Sequence, residues 1–262
     1  MEAIQSHQPG TFSWVDLATI GAEGAKTFYT GLFGWEAEDT QADPDRVYTM
    51  LKLEGRPVAG LYEMNPEQKN QGVPPHWMSY VAVENADAMV EKVRGLQGTI
   101  IAKPFDVVDA GRMALIQDPT GAILAVWQPK AHIGTHFKNV PGSLCWNELT
   151  TNDPEKAEDF FTKVFGWEAH TVEIIGMSYT SFKIGEMPVA GMYHMGPELA
   201  GIPSHWMPYF SVDDCDAIVE RAKGLGAEVL SPPKDIPDTG RFAVLKDPQG
   251  AAVAVIKMIP MD

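Results

Sequence analysis

Two halves of the chain repeat one another, and this duplication constrains the fold more than any other feature of the sequence. Five motifs recur in the same order, at an offset that drifts only from 132 to 129 positions. They are Trp14 and Trp146, Phe28-Tyr29 and Phe160-Phe161, Pro57-Val58-Ala59-Gly60 and Pro188-Val189-Ala190-Gly191, His76-Trp77-Met78 and His205-Trp206-Met207, and Asp118-Pro119 and Asp247-Pro248. The repeat predicts two homologous domains, at 10–128 and 142–259, and a Pro- and Gly-containing linker at 129–141.

Each half also repeats within itself. A strand-like segment precedes a helix whose apolar residues Ala25, Phe28 and Leu32 follow the helical period, and two more strand-like runs follow. The first unit is predicted as strand 12–19, helix 22–32 and strands 47–53 and 57–63. The second is predicted as strand 77–83, helix 86–95 and strands near 99–102, 112–117 and 122–127. The second half copies this order, with helices at 154–164 and 215–224, so the fold class is α+β, built from four β-α-β-β-β modules.

Composition narrows the range of partners. The formal net charge of −15 and the pI of about 4.8 argue against nucleic acid and anionic membranes as partners, because both need a basic surface. Two cysteines are too few for a disulfide framework, and no signal peptide or membrane-length apolar run is visible. We therefore predict a soluble cytoplasmic protein. Four modules in one chain favour a monomer, with a homodimer left open.

The motifs themselves resemble a known superfamily. Phe28-Tyr29 followed by Leu32-Phe33-Gly34-Trp35, and the turn Asp118-Pro119-Thr120-Gly121 before the last strand, resemble the vicinal-oxygen-chelate superfamily. This group includes glyoxalase I, extradiol dioxygenases and bleomycin-resistance proteins. The resemblance implies a cup-shaped half-barrel in each domain, with the functional site inside the cup. The doubled length is similar to two-domain actinomycete members, some of which act in aromatic polyketide pathways.

The positions that hold metal ligands in metal-using relatives have changed in this chain. They correspond to Trp14, Met78 and Ala125 in the first half and to Trp146, Met207 and Ala254 in the second. The remaining position falls within 58–62 and 189–193, which contain no His, Asp or Glu. Trp and Ala cannot coordinate a zinc-like cation, and Met suits only a soft one. We therefore expect neither a metal nor another cofactor, which disfavours metal-dependent chemistry.

Large apolar side chains at these positions suggest a different use for the cups. Strand alternation places Phe12, Asp16 and Ala18 on the face of Trp14, and Leu144, Glu148 and Thr150 on the face of Trp146. The residues predicted to contact a flat, hydrophobic ligand are Trp14, Met78, Tyr80, Trp127, Trp146, Met207 and Tyr209. Asp16 with His76, and Glu148 with His205, are the candidate acid/base pairs. A plain core role for the Trp and Met residues, and a rim position for the histidines, are the competing interpretations.

Other motifs receive structural interpretations. The repeated Asp-x-Gly-Arg segment predicts ion pairs from Arg112 to Asp118 and from Arg241 to Asp247. His132 and His136 are four positions apart, which on a helix would place both on one face, but they lie beside Gly134 in the linker, which does not favour a metal role.

Three functions follow from these patterns. The first is a metal-independent protein that binds an aromatic, polyketide-like molecule, as a sequestering protein or a tailoring enzyme of antibiotic biosynthesis. The alternative is a metal-dependent glyoxalase-like lyase or oxygenase, which would copurify with a divalent metal. The third is a degenerate, purely structural or interaction protein, in which the cup tryptophans affect only stability.

Overall fold

Each half of the chain forms one eight-stranded sheet in the computed structural model, which describes residues 3–43, 46–174, 176–199 and 201–259. The strands of the first sheet are β1 (Phe12–Thr19), β2 (Glu36–Asp43), β3 (Arg46–Leu53), β4 (Arg56–Glu63), β5 (His76–Ala82), β6 (Thr99–Val107), β7 (Gly111–Gln117) and β8 (Ile123–Pro129). Their spatial order is β2-β3-β4-β1-β5-β8-β7-β6. The central pair β1 and β5 is antiparallel, so the two modules of a domain meet around a pseudo-twofold axis.

The second sheet repeats this order with strands that begin at Leu144. They are β9 (Leu144–Thr151), β10 (Glu168–Ile174), β11 (Met177–Ile184), β12 (Met187–His194), β13 (His205–Ser211), β14 (Glu228–Ile236), β15 (Gly240–Lys246) and β16 (Ala252–Met258). The order β10-β11-β12-β9-β13-β16-β15-β14 matches that of the first sheet. The α+β fold predicted from the repeat is therefore present in both halves.

Five α-helices accompany the sheets in the described part of the chain. They are α1 (Ala22–Phe33), α2 (Pro66–Asn70), α3 (Ala86–Gly95), α4 (Pro154–Phe165) and α5 (Cys215–Gly224), with a 3-10 turn at Pro197–Leu199. Helix α1 ends at Gly34, whose φ of 71° is the left-handed conformation that stops a helix. Asn85 caps α3 by accepting a hydrogen bond from the Ala88 amide. None of these helices is long and apolar enough to cross a bilayer.

The hydrophobic cores are shared between the two halves rather than confined to either. One core joins α1, β1 and β4 of the first half to β13, α5 and β16 of the second. The other joins β5, α3 and β8 of the first half to β9, α4 and β12 of the second. Each half therefore buries its helices against the opposite half, and neither sheet has a complete core alone.

Hydrogen bonds cross the same boundary in matched pairs. The indole N–H of Trp35 donates to the carbonyl of Gly142 at 2.7 Å, and that of Trp167 donates to the carbonyl of Gly10 at 2.8 Å. Both indoles are buried, so each bond satisfies a donor that water cannot reach.

One cross-boundary contact is present in a single copy. The hydroxyl of Tyr29 in α1 donates to Asp247 at 2.9 Å and accepts from the indole of Trp77 at 3.0 Å. The repeat places Phe161 at the equivalent position, and a phenylalanine has no hydroxyl to offer.

The turn at Asp118 in the first half has different hydrogen bonds. Asp118, the counterpart of Asp247, accepts from the Thr120 hydroxyl at 2.8 Å, where the other copy has Gln249. The indole nitrogen of Trp206, the counterpart of Trp77, is buried without a hydrogen-bond partner. The two halves have thus diverged at positions that contact one another.

Sequence patterns missed or misplaced several features. The predicted helices are confirmed, but β2, β10 and α2 were not predicted. The expected ion pairs of the Asp-x-Gly-Arg motif are wrong, because Arg112 pairs with Asp87 at 2.7 Å and Arg241 pairs with Asp216 at 2.7 Å. Asp118 is instead used within its own turn, since its carboxylate accepts the Thr120 and Ala122 amides at 2.7 and 3.0 Å.

Candidate functional site

The face of each sheet that lies away from the shared cores carries the predicted cup residues. Strand register sets them in rows, because paired residues on neighbouring strands point to the same side. In the first domain the rows are Trp14-Tyr80-Ala125 and Gly60-Asp16-Met78, and in the second they are Trp146-Tyr209-Ala254 and Gly191-Glu148-Met207. The residues at the former metal positions therefore lie together on one face in both cups.

Simple alternation failed at the start of β1 and β9. A β-bulge shifts the register between Phe12 and Trp14, and a second one displaces Leu144 relative to Trp146. Phe12 consequently packs in a shared core, 5.2 Å from the Trp206 ring, and Leu144 packs in the other shared core. The prediction that these two residues share the cup face was wrong.

A buried carboxyl with two tyrosine donors forms the floor of the first cup. Tyr80 donates to Oδ2 of Asp16 at 2.8 Å, and Tyr48 donates to the same oxygen at 3.3 Å. The Tyr48 hydroxyl also accepts from the Trp14 indole at 3.0 Å. The other oxygen, Oδ1, is buried without a partner. Desolvation outweighs the two tyrosine bonds and raises the pKa of Asp16 from 3.8 to about 7.

The second cup repeats this network with a longer acid. Tyr209 donates to Oε1 of Glu148 at 2.6 Å, and Tyr179 donates to Oε2 at 3.0 Å while accepting from the Trp146 indole at 3.0 Å. The extra methylene lets the two oxygens take one tyrosine each, so Glu148 has no orphaned oxygen. Burial still raises the pKa of Glu148, and the two hydrogen bonds only partly oppose this.

Tyr48 and Tyr179 were not among the predicted site residues. Each lies over a glycine of the neighbouring strand, and a Cβ on Gly60 or Gly191 would come within 1.8 Å of the tyrosine oxygen. The glycine of the repeated Pro-Val-Ala-Gly motif therefore permits the tyrosine to reach the acid. The recurrence of tyrosine 131 positions apart, paired with that glycine, was the signal in the sequence that could have found them.

The two candidate histidines share the cup face but have other partners. His76 lies opposite Ala18, one row from Asp16, and its Nδ1 donates to the Pro74 carbonyl at 2.8 Å. His205 does the same with Pro203 at 2.9 Å. In the described part of the chain, the hydrogen bonds to Asp16 and Glu148 come from tyrosines. An acid/base role for either histidine stays a prediction.

The remaining predicted contact residues differ in accessibility. Trp127 is 4% exposed, and its indole donates to the His132 carbonyl at 2.9 Å. Met78 and Met207 are half-buried on the cup faces. Their contact with a ligand stays a prediction.

The donor atoms of the cups do not fit a divalent metal. Each cup offers one carboxyl, and both of these are already hydrogen-bonded to tyrosines. No group of three or more His, Cys, Asp or Glu side chains in the described ranges is arranged to hold an ion. Zinc-like cations need three or four N, O or S ligands, which the described side chains of neither cup supply.

Comparison with known proteins gives results for both halves. A family model described as the Glyoxalase/Bleomycin resistance protein/Dioxygenase superfamily matches residues 11–126 and 141–255. The candidate glyoxylase CFP32 of Mycobacterium tuberculosis is 44% identical over 99% of both chains. The anthracycline biosynthesis protein DnrV of Streptomyces peucetius is 36% identical over 95% of this chain and 94% of its own. The Mn(II)-bound glyoxalase from Novosphingobium aromaticivorans superposes with a TM-score of 0.66 at 15% identity, covering 95% of this chain and 82% of that one.

Proposed function

Because the chain belongs to the glyoxalase, bleomycin-resistance and dioxygenase superfamily, we propose that it uses this fold, without a metal, to bind an aromatic small molecule. The observation that carries the proposal is the replacement of the metal-ligand positions by indole, thioether and methyl groups around a carboxyl–tyrosine network. We place the protein in natural-product metabolism, as a sequestering or accessory protein or a metal-independent tailoring enzyme.

The chemistry of the cup floor supports a flat, oxygenated ligand. Trp146 and Met207 provide apolar contact area, and aromatic faces favour stacked or edge-on rings. The Tyr179 and Tyr209 hydroxyls donate to Glu148, so their remaining lone pairs can accept a hydrogen bond from a ligand hydroxyl. A polycyclic phenol or quinone combines these two kinds of surface.

The same network can hold or move a proton. The Tyr209 hydroxyl lies 2.6 Å from the Glu148 carboxyl, and burial raises the pKa of that acid above its ordinary value. A proton on Glu148 is therefore one hydrogen bond away from a tyrosine oxygen. In a tailoring reaction, Asp16 and Glu148 are the general acid/base candidates, with His76 and His205 at the rim as further ones.

The relatives support the biological setting. The name of DnrV assigns it to anthracycline biosynthesis, and anthracyclines are aromatic polyketides. Its similarity spans nearly the whole of both chains, so we carry the general setting to this protein. We also propose a cytoplasmic location, consistent with two free, buried cysteines, and a monomer, since both cores close within one chain.

A titration with alizarin, a dihydroxyanthraquinone, tests the proposal. We expect alizarin to quench tryptophan fluorescence with micromolar affinity, and Trp146→Ala to weaken that affinity by about tenfold, which corresponds to about 1.4 kcal/mol. Met187→Ala, at the first residue of β12 where the residue is 40% exposed, is the control and should leave affinity unchanged. If Trp146→Ala lowers only the free energy of unfolding, the cup is a structural core and the proposal fails.

The metal-dependent lyase remains the alternative, and the relative named as a candidate glyoxylase is the observation in its favour. It predicts about one divalent metal per site after purification and activity that a chelator abolishes. Elemental analysis of freshly purified protein, together with a hemithioacetal isomerisation assay with and without added Mn(II), distinguishes the two. We expect substoichiometric metal and no metal-stimulated turnover.

A further inference from the structure

We infer that the cup of the first domain is filled by the chain's own His132, so that the cup of the second domain is the one that receives the ligand. The inference rests on the proposed function, because it assigns the same activity to one of two similar sites. It follows from the segment that joins the domains, which the sequence pattern marked only as a linker.

His132 lies where an aromatic ligand would contact the first cup. Its ring meets Trp14 edge-on with centroids 4.5 Å apart, and it meets Trp127 at 5.9 Å. Trp127 also donates its indole N–H to the His132 carbonyl at 2.9 Å. The imidazole therefore packs against both indole rings, while the backbone of His132 satisfies the Trp127 donor.

Backbone hydrogen bonds hold this segment along the rim. The Thr135 amide donates to the Ser13 carbonyl at 2.7 Å, and the His136 amide donates to the Pro57 carbonyl at 2.8 Å. Gly134 makes the close approach possible, since its φ is +115° and a Cβ there would lie 2.2 Å from the Ser13 oxygen. These hydrogen bonds and the close approach at Gly134 therefore fix the segment against β1.

One polar atom of the segment is left unsatisfied. His132 Nε2 is buried without a hydrogen-bond partner. A buried nitrogen without a hydrogen bond is energetically unfavourable, so the imidazole is held in this position at some cost in stability. The ring can therefore be removed or displaced without losing a hydrogen bond from its own side chain.

The second cup differs in ways that leave it more open. Trp146 is half-buried, whereas Trp14 is 3% exposed. The repeat replaces Trp127 by Ile256, which removes one wall of the slot that grips the imidazole in the first domain.

A second difference lies in the row of the acid. Met50 pairs in register with Gly60, and its side chain packs on the first cup's cluster. Ser181 occupies the matching place beside Gly191 in the second cup. A serine in place of a methionine leaves room for several ligand atoms beside Glu148.

Ligand stoichiometry tests this assignment directly. We expect one equivalent of alizarin per wild-type chain by calorimetry, and two equivalents for His132→Ala, because removal of the imidazole opens the first slot. His136→Ala is the matched control from the same segment and should still bind one equivalent. Gly134→Ala gives a second route to the same result, because its Cβ must push the segment away from β1. Two equivalents in the wild type, or one equivalent in both opening variants, would overturn the inference.

A measurement without ligand separates this inference from the proposed function. Hydroxyl-radical oxidation, read by peptide mass spectrometry, should modify Trp146 several-fold faster than Trp14 in the wild type. His132→Ala should raise the rate at Trp14 alone. If these oxidation rates are found but alizarin does not bind, the proposed function fails and the inference that His132 fills the first cup stands. Equal oxidation rates at Trp14 and Trp146 would refute that inference.

Discussion

Asp16→Asn should make the protein more stable at neutral and alkaline pH. The Asp16 side chain is 4% exposed, and one of its oxygens has no partner. Ionising the carboxyl in that place is unfavourable, and this raises its pKa from 3.8 to about 7. The folded protein therefore holds a proton on Asp16 at pH values where the unfolded chain has released it. The stabilising contribution of the protonated Asp16 is full below pH 3.8 and is lost as the pH rises toward 7.

The magnitude follows from the two pKa values. Each pKa unit corresponds to about 1.4 kcal/mol, so the contribution of Asp16 to the free energy of unfolding should fall by about 4 kcal/mol between pH 4 and pH 8. Asparagine has nearly the same shape and cannot ionise. The variant should match the wild type near pH 4, within about 1 kcal/mol, and exceed it by about 4 kcal/mol at pH 8.

Urea unfolding at pH 4, 6 and 8, followed by circular dichroism, measures the difference. Burial lowers the pKa of His7 and His132 to about 4, which has the opposite effect on stability, but it acts equally in both proteins and cancels. Glu84→Gln removes a carboxyl from an exposed position and serves as the control. Parallel pH profiles for the wild type and Asp16→Asn would show that Asp16 is ionised in the fold and would refute the reasoning.

Two further substitutions test the packing described above, both by the free energy of unfolding in urea. Gly60→Ala should lower this free energy by about 2–4 kcal/mol, because the new Cβ displaces the Tyr48 hydroxyl from Asp16. The control Gly95→Ala, at a glycine with open space around it, should change it by less than about 1 kcal/mol. Equal effects of the two substitutions would contradict the steric argument. Tyr29→Phe should lower it by about 2–4 kcal/mol, since it leaves Oδ2 of Asp247 and the buried Trp77 indole each without a partner. An unchanged value would mean that water replaces the hydroxyl.

The sequence identified the fold because duplication and hydrophobic period act over long stretches. The helix α1 carries both a periodic apolar face and a glycine stop, so its bounds could be predicted closely. Strand β2 was missed because Glu36–Asp43 reads EAEDTQAD, which has no alternating apolar residues. It forms at the edge of the sheet, where pairing with β3 substitutes for a hydrophobic pattern.

The candidate site was only partly predictable for a different reason. Asp16, Trp14 and Tyr80 could be placed on one face because β1 and β5 are regular there. Tyr48 lies two strands away from β1, and its contact with the acid depends on a missing side chain at Gly60, which a periodic pattern does not reveal. The pairing of His132 with Trp14 spans more than a hundred residues and joins a linker to a strand.

The packing of each half's helices against the opposite half limits how the gene can change. Copying the second repeat over the first would place a phenylalanine at position 29, facing Asp247, and the Asp247 turn carries Gln249 where the other turn carries Thr120. That copy would therefore leave Oδ2 of the buried Asp247 without its donor, although Oδ1 would keep the backbone amides of its own turn. The difference between Tyr29 and Phe161 therefore makes the two repeats non-equivalent, and selection for stability would oppose replacing the first repeat by a copy of the second.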